Sequence, residues 1–407
     1  MKYVKKIICG ILTVVVSALL SCQVEGDTSL PELTTVGANH ITTNSATIDV
    51  NITYDGMPTY TERGVCYSTS QNPTITDNKT PVTGTGIGDF SVNLSDLKPN
   101  TTYYVRAYAI NTKSPAYGAQ ISFKTLSGVW AQKTDFSGGE REHAVGFSIG
   151  NKGYIGTGYV REYGIYSKDF WEYDPVANSW TQKTDFAGNA RSGAVGFSIG
   201  NKGYIGTGSS ASSDSNYKDF WEYNPVLNIW TRKTDFPGAA RNCAVGFSIG
   251  NKGYIGTGSP LVYKDFWEYD PVSNDWTKKE DFPGGFRWMA VGFSIGNKGY
   301  IGTGSYGSLS SYEDFWEYDP IANNWTQKTN FAGGYIWNAV GFSIGNNGYV
   351  GVGANRQDFW EYDPVLNKWT QKADFANYGG WGTVGFSINN KGYIGYLDDN
   401  DFWEFEP

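Results

Sequence analysis

The chain reads VGFSIGNKGYIGTG at residues 145–158, and versions of this stretch occur six times in its last two-thirds. Two further motifs recur with it, Asp-Phe-Trp-Glu and a Trp that opens another strand-like unit. Successive copies of each motif are 43 to 50 residues apart, which fits four short strands and predicts a propeller blade rather than a helical solenoid unit. The three motifs start at Val145, Val195, Val245, Val291, Val340 and Val384, at Asp169, Asp219, Asp265, Asp314, Asp358 and Asp401, and at Trp130, Trp180, Trp230, Trp276, Trp325 and Trp369.

The order of the motifs predicts how the two ends of the repeated region meet. Strands a to d of the first repeat are assigned to 145–149, 154–158, 170–173 and 180–184. The region begins at Trp130 with a d-type strand and ends with a c-type strand. We therefore expect strand 129–134 to pair with 402–405, which would close the ring without an open sheet edge.

The repeats resemble the Kelch repeat across residues 128–407. The resemblance rests on an Arg before the first strand, a Gly-bearing second strand, a Tyr-Asp-Pro turn and a closing Trp. It implies an all-β fold class, a six-bladed Kelch-type β-propeller. Two features depart from the family pattern, since Gly-Thr-Gly stands where Kelch repeats carry a Gly-Gly doublet and the last two repeats lack the Arg. The Arg residues are Arg141, Arg191, Arg241 and Arg287.

The first residues of the chain predict export. Three lysines precede an apolar run that is too short to span a bilayer as a helix, and the run ends in Leu-Leu-Ser-Cys at Cys22. This ending resembles the lipobox of bacterial lipoproteins, so we expect a signal peptide at 1–21, lipidation of Cys22 and a tether at 22–32. The implied location is the outer membrane of a Bacteroidetes-type envelope, facing the periplasm or the cell surface. An ordinary cleaved leader is the alternative.

Residues 33–126 predict a small β-sandwich. From Ala46 to Tyr54 apolar and polar residues alternate, and turn-rich segments separate several further short strands. The stretch 97–108 resembles the corner before the sixth strand of a fibronectin type III domain, with Leu97 and Tyr103 at the spacing of its tyrosine corner. The Trp usual in the second strand of that family is missing. We expect a divergent fibronectin type III-like spacer.

Charge and composition exclude several classes of function. The formal net charge is −8 and no basic cluster follows the leader, which argues against nucleic acid as a partner. Only His40 and His143 exist, one in each predicted domain, so no multi-histidine metal site is expected. Kelch propellers include copper radical oxidases, and this chain lacks the His ligands that they need. We predict no metal and no cofactor.

The two faces of the predicted propeller differ in how much their connections vary. The a–b and c–d turns are nearly identical from repeat to repeat, as tight turns built from Gly and Asn require. The b–c and d–a connections on the other face differ in length and chemistry. Loops vary freely, so drift is one explanation and ligand binding is the other.

Three indoles on the variable face are the main candidate ligand-binding residues. At the position after the Kelch Arg the repeats carry Glu142, Ser192, Asn242, Trp288, Trp337 and Trp381. Indoles beside polar groups suit sugars, whose apolar ring face stacks on an aromatic while the hydroxyls form hydrogen bonds. We predict a platform of Trp288, Trp337 and Trp381 with Glu142, Asn242 and Arg141 as polar partners. Packing of the indoles between blades, and an inter-blade structural role for the Arg residues, are the alternatives.

Three functions follow from this surface. The first is a non-catalytic envelope protein that binds carbohydrate on the d–a/b–c face. The second is a scaffold for protein interaction or adhesion that uses the same face. The third is implied by six-bladed Kelch sialic acid mutarotases, and it would use Glu142 and His143 as acid and base for ring opening while Arg141 holds a carboxylate.

Overall fold

The computed structural model describes residues 29–210, 216–260, 263–307, 310–381, 383–396 and 399–407. These residues form strands and connections only, and no helix among them could span a membrane. The predicted signal peptide, Cys22 and most of the predicted tether lie outside this part of the chain. The chain divides into two compact units. The first comprises the described residues up to Asn39 with Thr47–Leu94 and Tyr103–Phe123, and the second comprises His40–Ala46, Ser95–Thr102 and Lys124–Pro407.

The first unit contains two antiparallel sheets. Its strands are β1 (Glu32–Asn39), β2 (Ala46–Tyr54), β3 (Glu62–Ser68), β4 (Asn78–Val82), β5 (Gly88–Leu94), β6 (Thr102–Ile110), β7 (Pro115–Tyr117) and β8 (Ile121–Lys124). One sheet has the order β1-β2-β5, and the other has the order β4-β3-β6-β7 with β8 also paired to β6. The alternation in β2 places Ile48, Val50 and Ile52 in the core. Tyr103 is buried and stacks on Phe123, with 5.8 Å between ring centroids.

The second unit is built from four-stranded antiparallel sheets. It begins with β9 (Val129–Gln132) and continues with β10 (Val145–Ile149), β11 (Lys152–Gly156), the short ribbon β12 (Tyr159–Val160) and β13 (Ile165–Tyr166), β14 (Phe170–Asp174), β15 (Ser179–Gln182), β16 (Val195–Ile199), β17 (Lys202–Gly206), β18 (Phe220–Asn224), β19 (Ile229–Lys233), β20 (Val245–Ile249), β21 (Lys252–Gly256), β22 (Phe266–Asp270) and β23 (Asp275–Lys279). Then follow β24 (Val291–Ile295), β25 (Lys298–Gly302), the ribbon β26 (Ser305–Tyr306) and β27 (Ser310–Ser311), β28 (Phe315–Asp319), β29 (Asn324–Lys328), β30 (Val340–Ile344), β31 (Asn347–Gly351), β32 (Phe359–Asp363), β33 (Lys368–Gln371), β34 (Thr383–Ile388), β35 (Lys391–Tyr396) and β36 (Asp401–Glu406).

The described residues of this unit contain six such sheets, an arrangement consistent with a propeller. Sheets 1 to 5 are β10-β11-β14-β15, β16-β17-β18-β19, β20-β21-β22-β23, β24-β25-β28-β29 and β30-β31-β32-β33, and sheet 6 is β34-β35-β36-β9. The first strands of successive sheets contact each other, and β34 of sheet 6 contacts β10 of sheet 1. In sheet 6, Phe405 pairs with Trp130 and Trp403 pairs with Gln132, so the two ends of the repeated region share a sheet.

Repeated aromatic and aliphatic side chains fill the spaces between neighbouring sheets. Phe147 of β10 packs against Gly203 in the next sheet. A Cβ atom at position 203 would lie only 2.6 Å from the phenyl ring, so close packing requires glycine there. Gly150, in the turn between β10 and β11, has φ 59°, which a glycine adopts without strain. The a–b turns therefore use one glycine for turn geometry and another for contact between sheets.

Antiparallel pairing sorts the connections into two ends of the sheets. The turns between first and second strands and between third and fourth strands lie at one end, which we name the turn face. The connections between second and third strands, and those from one sheet to the next, lie at the other end, which we name the loop face. The loop face contains the six positions that follow the repeated Arg position, from Glu142 to Trp381.

Candidate functional site

Three indoles of the loop face line one pocket. Trp288, Trp337 and Trp381 precede the first strands of sheets 4, 5 and 6, and all three border a cavity of about 290 Å³. We name this cavity the indole pocket. Its described lining residues are Trp288, Met289, Ser305, Gly307, Ser311, Trp337 and Trp381.

The indoles form the walls of a partly open cleft. The ring centroids of Trp337 and Trp381 are 4.9 Å apart and their planes are inclined by 47°. Trp381 is 38% exposed, whereas Trp288 and Trp337 are half-buried. The ring of His143 also contacts Trp381 edge to face, with 5.4 Å between ring centroids. Trp381 therefore contacts two rings and still presents part of its surface to solvent.

The indole N–H groups of the pocket differ from those of the repeated tryptophans. Trp230 Nε1 donates to Thr184 O at 3.1 Å, and Trp221 Nε1 donates to Asp219 Oδ2 at 2.7 Å. Equivalent tryptophans in sheets 1, 3, 4 and 5 make the same two kinds of bond, whereas in sheet 6 the buried Nε1 atom of Trp403 has no partner among the described residues. Within the described residues, the Nε1 atoms of Trp288, Trp337 and Trp381 have no such partner. These donors remain available to a ligand.

The pocket carries no formal charge on its described lining. Its polar side chains are the hydroxyls of Ser305 and Ser311, and Ser305 Oγ donates to Gly307 O at 2.9 Å. The short ribbon of β26 and β27 supplies both serines, while Met289 is almost fully buried beside them. An apolar pocket with a few hydroxyls and indole donors suits an uncharged, amphipathic ligand.

Glu142 and Asn242 occupy the same repeat position as the indoles but on other sheets. Glu142 exchanges two backbone hydrogen bonds of 2.8 Å with Tyr159, and its carboxylate forms an ion pair with Arg161. Asn242 Nδ2 donates to Asn216 Oδ1 at 2.7 Å. Neither residue is among the described residues that line the indole pocket. The structure thus brings together the three predicted indoles and leaves these two polar residues elsewhere on the loop face.

Arg141 forms part of a buried clamp and does not line the indole pocket. Its Nη1 and Nη2 donate to the two carboxylate oxygens of Asp169 at 2.5 and 2.9 Å, and Nη1 also donates to Thr157 O at 3.0 Å. The guanidinium lies 4.9 Å from the ring centroid of Phe136. Bidentate pairing of this kind fixes the loops at one end of a sheet. Arg191, Arg241 and Arg287 repeat the arrangement with Asp219, Asp265 and Asp314.

These Arg side chains connect parts of a single sheet. The inter-blade role that the sequence suggested for them is therefore not a side-chain contact between sheets. Arg191 contacts Thr207 and Asp219, which flank the second and third strands of sheet 2. The link to the neighbouring sheet comes from the backbone, because Gly158 N donates to Arg191 O at 2.7 Å. The side chain therefore orders one sheet while its carbonyl group joins two.

Sheet 5 obtains its clamp from a position that repeat comparison missed. Ile336 stands where sheets 1 to 4 carry the repeated Arg, and Arg356 pairs instead with Asp358 through bonds of 2.7 and 2.8 Å. The available signal was the Asp itself, which recurs in all six repeats although the Arg does not. A retained carboxylate predicts a donor somewhere nearby, and here the donor lies two residues before it.

A second, smaller cavity lies where the loops enter the first strands. His143, Cys243, Met289 and Asn338 border its volume of about 130 Å³. Backbone bonds link these positions from sheet to sheet, including Gly193 N to His143 O at 2.9 Å and Met289 N to Cys243 O at 3.1 Å. His143, Gly193, Cys243, Met289 and Asn338 all have φ between 49° and 61°.

Burial governs the two titratable groups of the smaller cavity. It lowers the pKa of His143 to about 4 and raises the pKa of the Cys243 thiol to about 12, since both charged forms lose hydration. At neutral pH the imidazole is uncharged and the thiol is protonated. No group of three or more His, Cys, Asp or Glu side chains suited to a metal ion occurs in the described ranges.

Comparisons with known proteins give a structural likeness. No protein-family profile matches the chain. No curated protein matches it either. Solved structures that resemble it include that of YjhT, with a TM-score of 0.50 and 17% sequence identity over 67% of this chain and 95% of YjhT. YjhT is a propeller-type protein, and the likeness supports an all-β architecture of repeated strands.

Proposed function

We propose that the second unit is a six-bladed Kelch-type β-propeller and that the first is a fibronectin type III-like β-sandwich. Six sheets of matching strand order, with first strands that contact each other in a circle, support the propeller. The shared sheet of β9 and β36 supports its closure by the two ends of the repeated region. Two sheets with short strands and buried Tyr103 support the sandwich.

We further propose that this chain is a lipid-anchored envelope protein that binds carbohydrate in the indole pocket of the loop face. The observation that carries the proposal is the convergence of Trp288, Trp337 and Trp381 on one cavity. A pyranose has an apolar face that stacks on indoles and hydroxyls that accept hydrogen bonds from indole N–H groups. The three pocket indoles offer both, whereas the repeated tryptophans of sheets 1 to 5 have their N–H groups engaged and the Nε1 atom of Trp403 in sheet 6 is buried.

The lining of the pocket favours an uncharged sugar. No guanidinium faces a ligand carboxylate there, since Arg141 is enclosed by Asp169, Thr157 and Phe136. A cavity of about 290 Å³ is close to the lower end of the usual range for ligand sites, about 300 Å³. One neutral sugar ring, at a chain end or as a side branch, is the ligand that best combines this size with these contacts.

The acid–base alternative has weaker support. With its pKa lowered to about 4 by burial, His143 is a poor proton donor near pH 7 and a weak base. The carboxylate of Glu142 is engaged by Arg161. A scaffold for protein interaction would use the same face and is separated from sugar binding by experiment.

The test is a glycan array probed with the chain from residue 23 onward, followed by calorimetric titration of any sugar that binds. We expect binding to weaken on the order of tenfold, about 1.4 kcal/mol, in Trp337→Ala and in Trp381→Ala. Trp337→Phe should retain much of the affinity because it keeps an aromatic face. Tyr163→Ala removes another exposed aromatic of the loop face, outside the pocket lining, and serves as the matched control.

Two results would contradict the proposal. One is an array without reproducible binding, together with capture of a defined envelope protein by the same face, which would favour the scaffold. The other is binding that survives both Trp337→Ala and Trp381→Ala with the fold intact. Turnover of a reducing sugar that Glu142→Gln abolishes would instead point to the enzyme.

A further inference from the structure

The turn face carries a set of fully exposed aliphatic side chains. They stand at one repeated position, the second residue of the turn between the third and fourth strands in sheets 1 to 5. Their exposed fractions are between 85% and 92%. In sheet 6, where the chain ends, exposed Val129 begins the fourth strand instead. The five residues, which we name the tip residues, are Val176, Val226, Val272, Ile321 and Val365.

The geometry of the turn does not require an aliphatic residue at its tip. In sheet 1 the turn is held by Asp174 Oδ1, which accepts hydrogen bonds from Val176 N at 2.9 Å and Ala177 N at 3.3 Å. Both bonds involve backbone donors that any residue other than proline supplies. A β-branched side chain gains nothing from this conformation, and Gly, Asn, Asp and Ser are the usual turn residues.

Neighbouring positions show that copying of the repeat does not explain the pattern. The residue after the tip changes between Ala, Leu and Ser, and the first residue of the fourth strand changes between Ser, Ile, Asp, Asn and Lys. The tip stays aliphatic and its one change is from Val to Ile, while the Pro before it and the Asn two residues after it are also kept. The Pro and the Asn serve the backbone of the turn, whereas the exposed tip side chain has no such role, so we infer a constraint on the tip from outside the fold. The varied residues are Ala177, Leu227, Ser273, Ala322 and Leu366, and Ser179, Ile229, Asp275, Asn324 and Lys368.

Charged pairs of nearly balanced sign surround the tips. Lys152 Nζ lies 2.5 Å from Asp174 Oδ2, and Lys252 and Lys298 form the same pair with Asp270 and Asp319. The turn face has six lysines and six carboxylates at these strand ends, although the chain has a net charge of −8. The lysines are Lys152, Lys202, Lys252, Lys298, Lys368 and Lys391, and the carboxylates are those of Asp174, Asp270, Asp275, Asp319, Asp363 and Glu406.

We propose that the turn face docks on the surface of a lipid bilayer through the tip residues. A protein partner flat enough to reach every tip would have to desolvate the Lys–Asp pairs between them, which is costly. At a bilayer, the same pairs stay hydrated among the headgroups while aliphatic side chains enter the boundary with the acyl chains. The near-neutral charge of the face matches a zwitterionic headgroup layer and avoids the repulsion that the rest of this acidic chain would meet.

The test is flotation of the chain from residue 23 onward, produced without acylation, with phosphatidylcholine vesicles. We expect the protein to float with the vesicles and the five-site variant Val176→Ser, Val226→Ser, Val272→Ser, Ile321→Ser and Val365→Ser to partition at least about tenfold more weakly. Its melting temperature should match that of the parent because the tips contact little. The control variant replaces five exposed apolar residues of the loop face by Ser, namely Tyr163, Ile165, Tyr306, Tyr335 and Tyr378.

The proposal fails if the parent chain does not float, or if both five-site variants lose vesicle binding equally. Self-association that depends on the tip residues, without vesicle binding, would assign the face to a second copy of the chain and would also overturn it. Because the tips and the indole pocket lie on opposite faces, neither the success nor the failure of sugar binding affects this result.

Discussion

Replacing the carboxylate of one clamp should cost far more stability in sheet 2 than in sheet 5. Arg191 is fully buried, and it donates to Asp219 at 2.6 and 2.7 Å and to Thr207 O at 2.8 Å. Its guanidinium also lies between the rings of Phe186 and Tyr217, at 4.8 and 4.2 Å. Asp219→Ala would leave this cation without a counter-charge in a place from which it cannot reach water.

The magnitude follows from comparison with the clamp of sheet 5. Removing one partner of a buried pair costs about 3–5 kcal/mol, so Asp219→Ala should lose about 4–6 kcal/mol once the hydrogen bond from the Trp221 indole is added. The Arg356 side chain is 34% exposed and can turn to solvent, so losing its pair costs about 0–1 kcal/mol. Both aspartates also accept an indole N–H at 2.7 Å, from Trp221 and from Trp360, which adds about 1 kcal/mol to each loss. Asp358→Ala is therefore a matched control with an expected loss of about 1–2 kcal/mol.

The assay is urea unfolding at pH 7 followed by far-UV circular dichroism, which avoids the fluorescence of the tryptophans next to each site. The slope of the free energy of unfolding against urea should stay constant, so that midpoints compare stabilities. Asp219→Asn keeps the size of the side chain. We expect it to lose most of the free energy of unfolding that Asp219→Ala loses, because the counter-charge of Arg191 is gone. Equal losses in Asp219→Ala and Asp358→Ala would refute the reasoning, since burial of the guanidinium is the only term that separates them.

Two further predictions concern protonation and ring closure. His143 should titrate near pH 4 by NMR, because burial lowers its pKa from the ordinary 6.5. As the pH falls, the unfolded chain binds this proton first, so the free energy of unfolding should decrease from about pH 6.5 towards pH 4. His143→Gln should remove that part of the pH dependence. Phe405→Ala should lower the free energy of unfolding by about 3–5 kcal/mol, because this buried ring lies 4.8 Å from Trp130 and 5.0 Å from Phe359. A loss below about 1 kcal/mol would mean that the last strand adds little to the closed sheet.

Sequence comparison among the repeats predicted the all-β architecture because each repeat must form the same backbone. The strand positions follow from the recurring motifs, and Asn178 in its turn has φ 50°, as the turn composition indicates. The three indoles were found because they break the repeat at one position. Their convergence on a single cavity could not be derived from the sequence, since it depends on the ribbon of β26 and β27.

Side-chain partners in the loops were the least predictable feature. Arg161 engages Glu142 from a loop whose sequence differs from those of the other repeats, and Arg356 replaces the missing repeated Arg from a different position. The aliphatic residues at the tips are present in the sequence, where the sameness of these turns indicates only a backbone requirement. Repetition alone does not reveal whether a repeated side chain is buried or exposed. Repetition reveals which positions are constrained, and the structure is needed to identify what constrains them.

The position after the repeated Arg is suited to acquire new chemistry because, in sheets 1 to 4, its backbone is fixed independently of its side chain. Glu142 pairs with Tyr159, Asn242 pairs with Ser259 and Trp288 pairs with Ser305, each through an isolated bridge between the same two connections. In sheets 1 to 4 the clamp fixes the residue before this position, and in sheets 1 to 5 the backbone bonds at His143 and its equivalents fix the residue after it. A carboxylate, an amide or an indole at this position therefore changes the loop face without changing the strands. Adjacent sheets can then place three indoles around one cavity, which explains how nearly identical repeats can carry a single, asymmetric binding site.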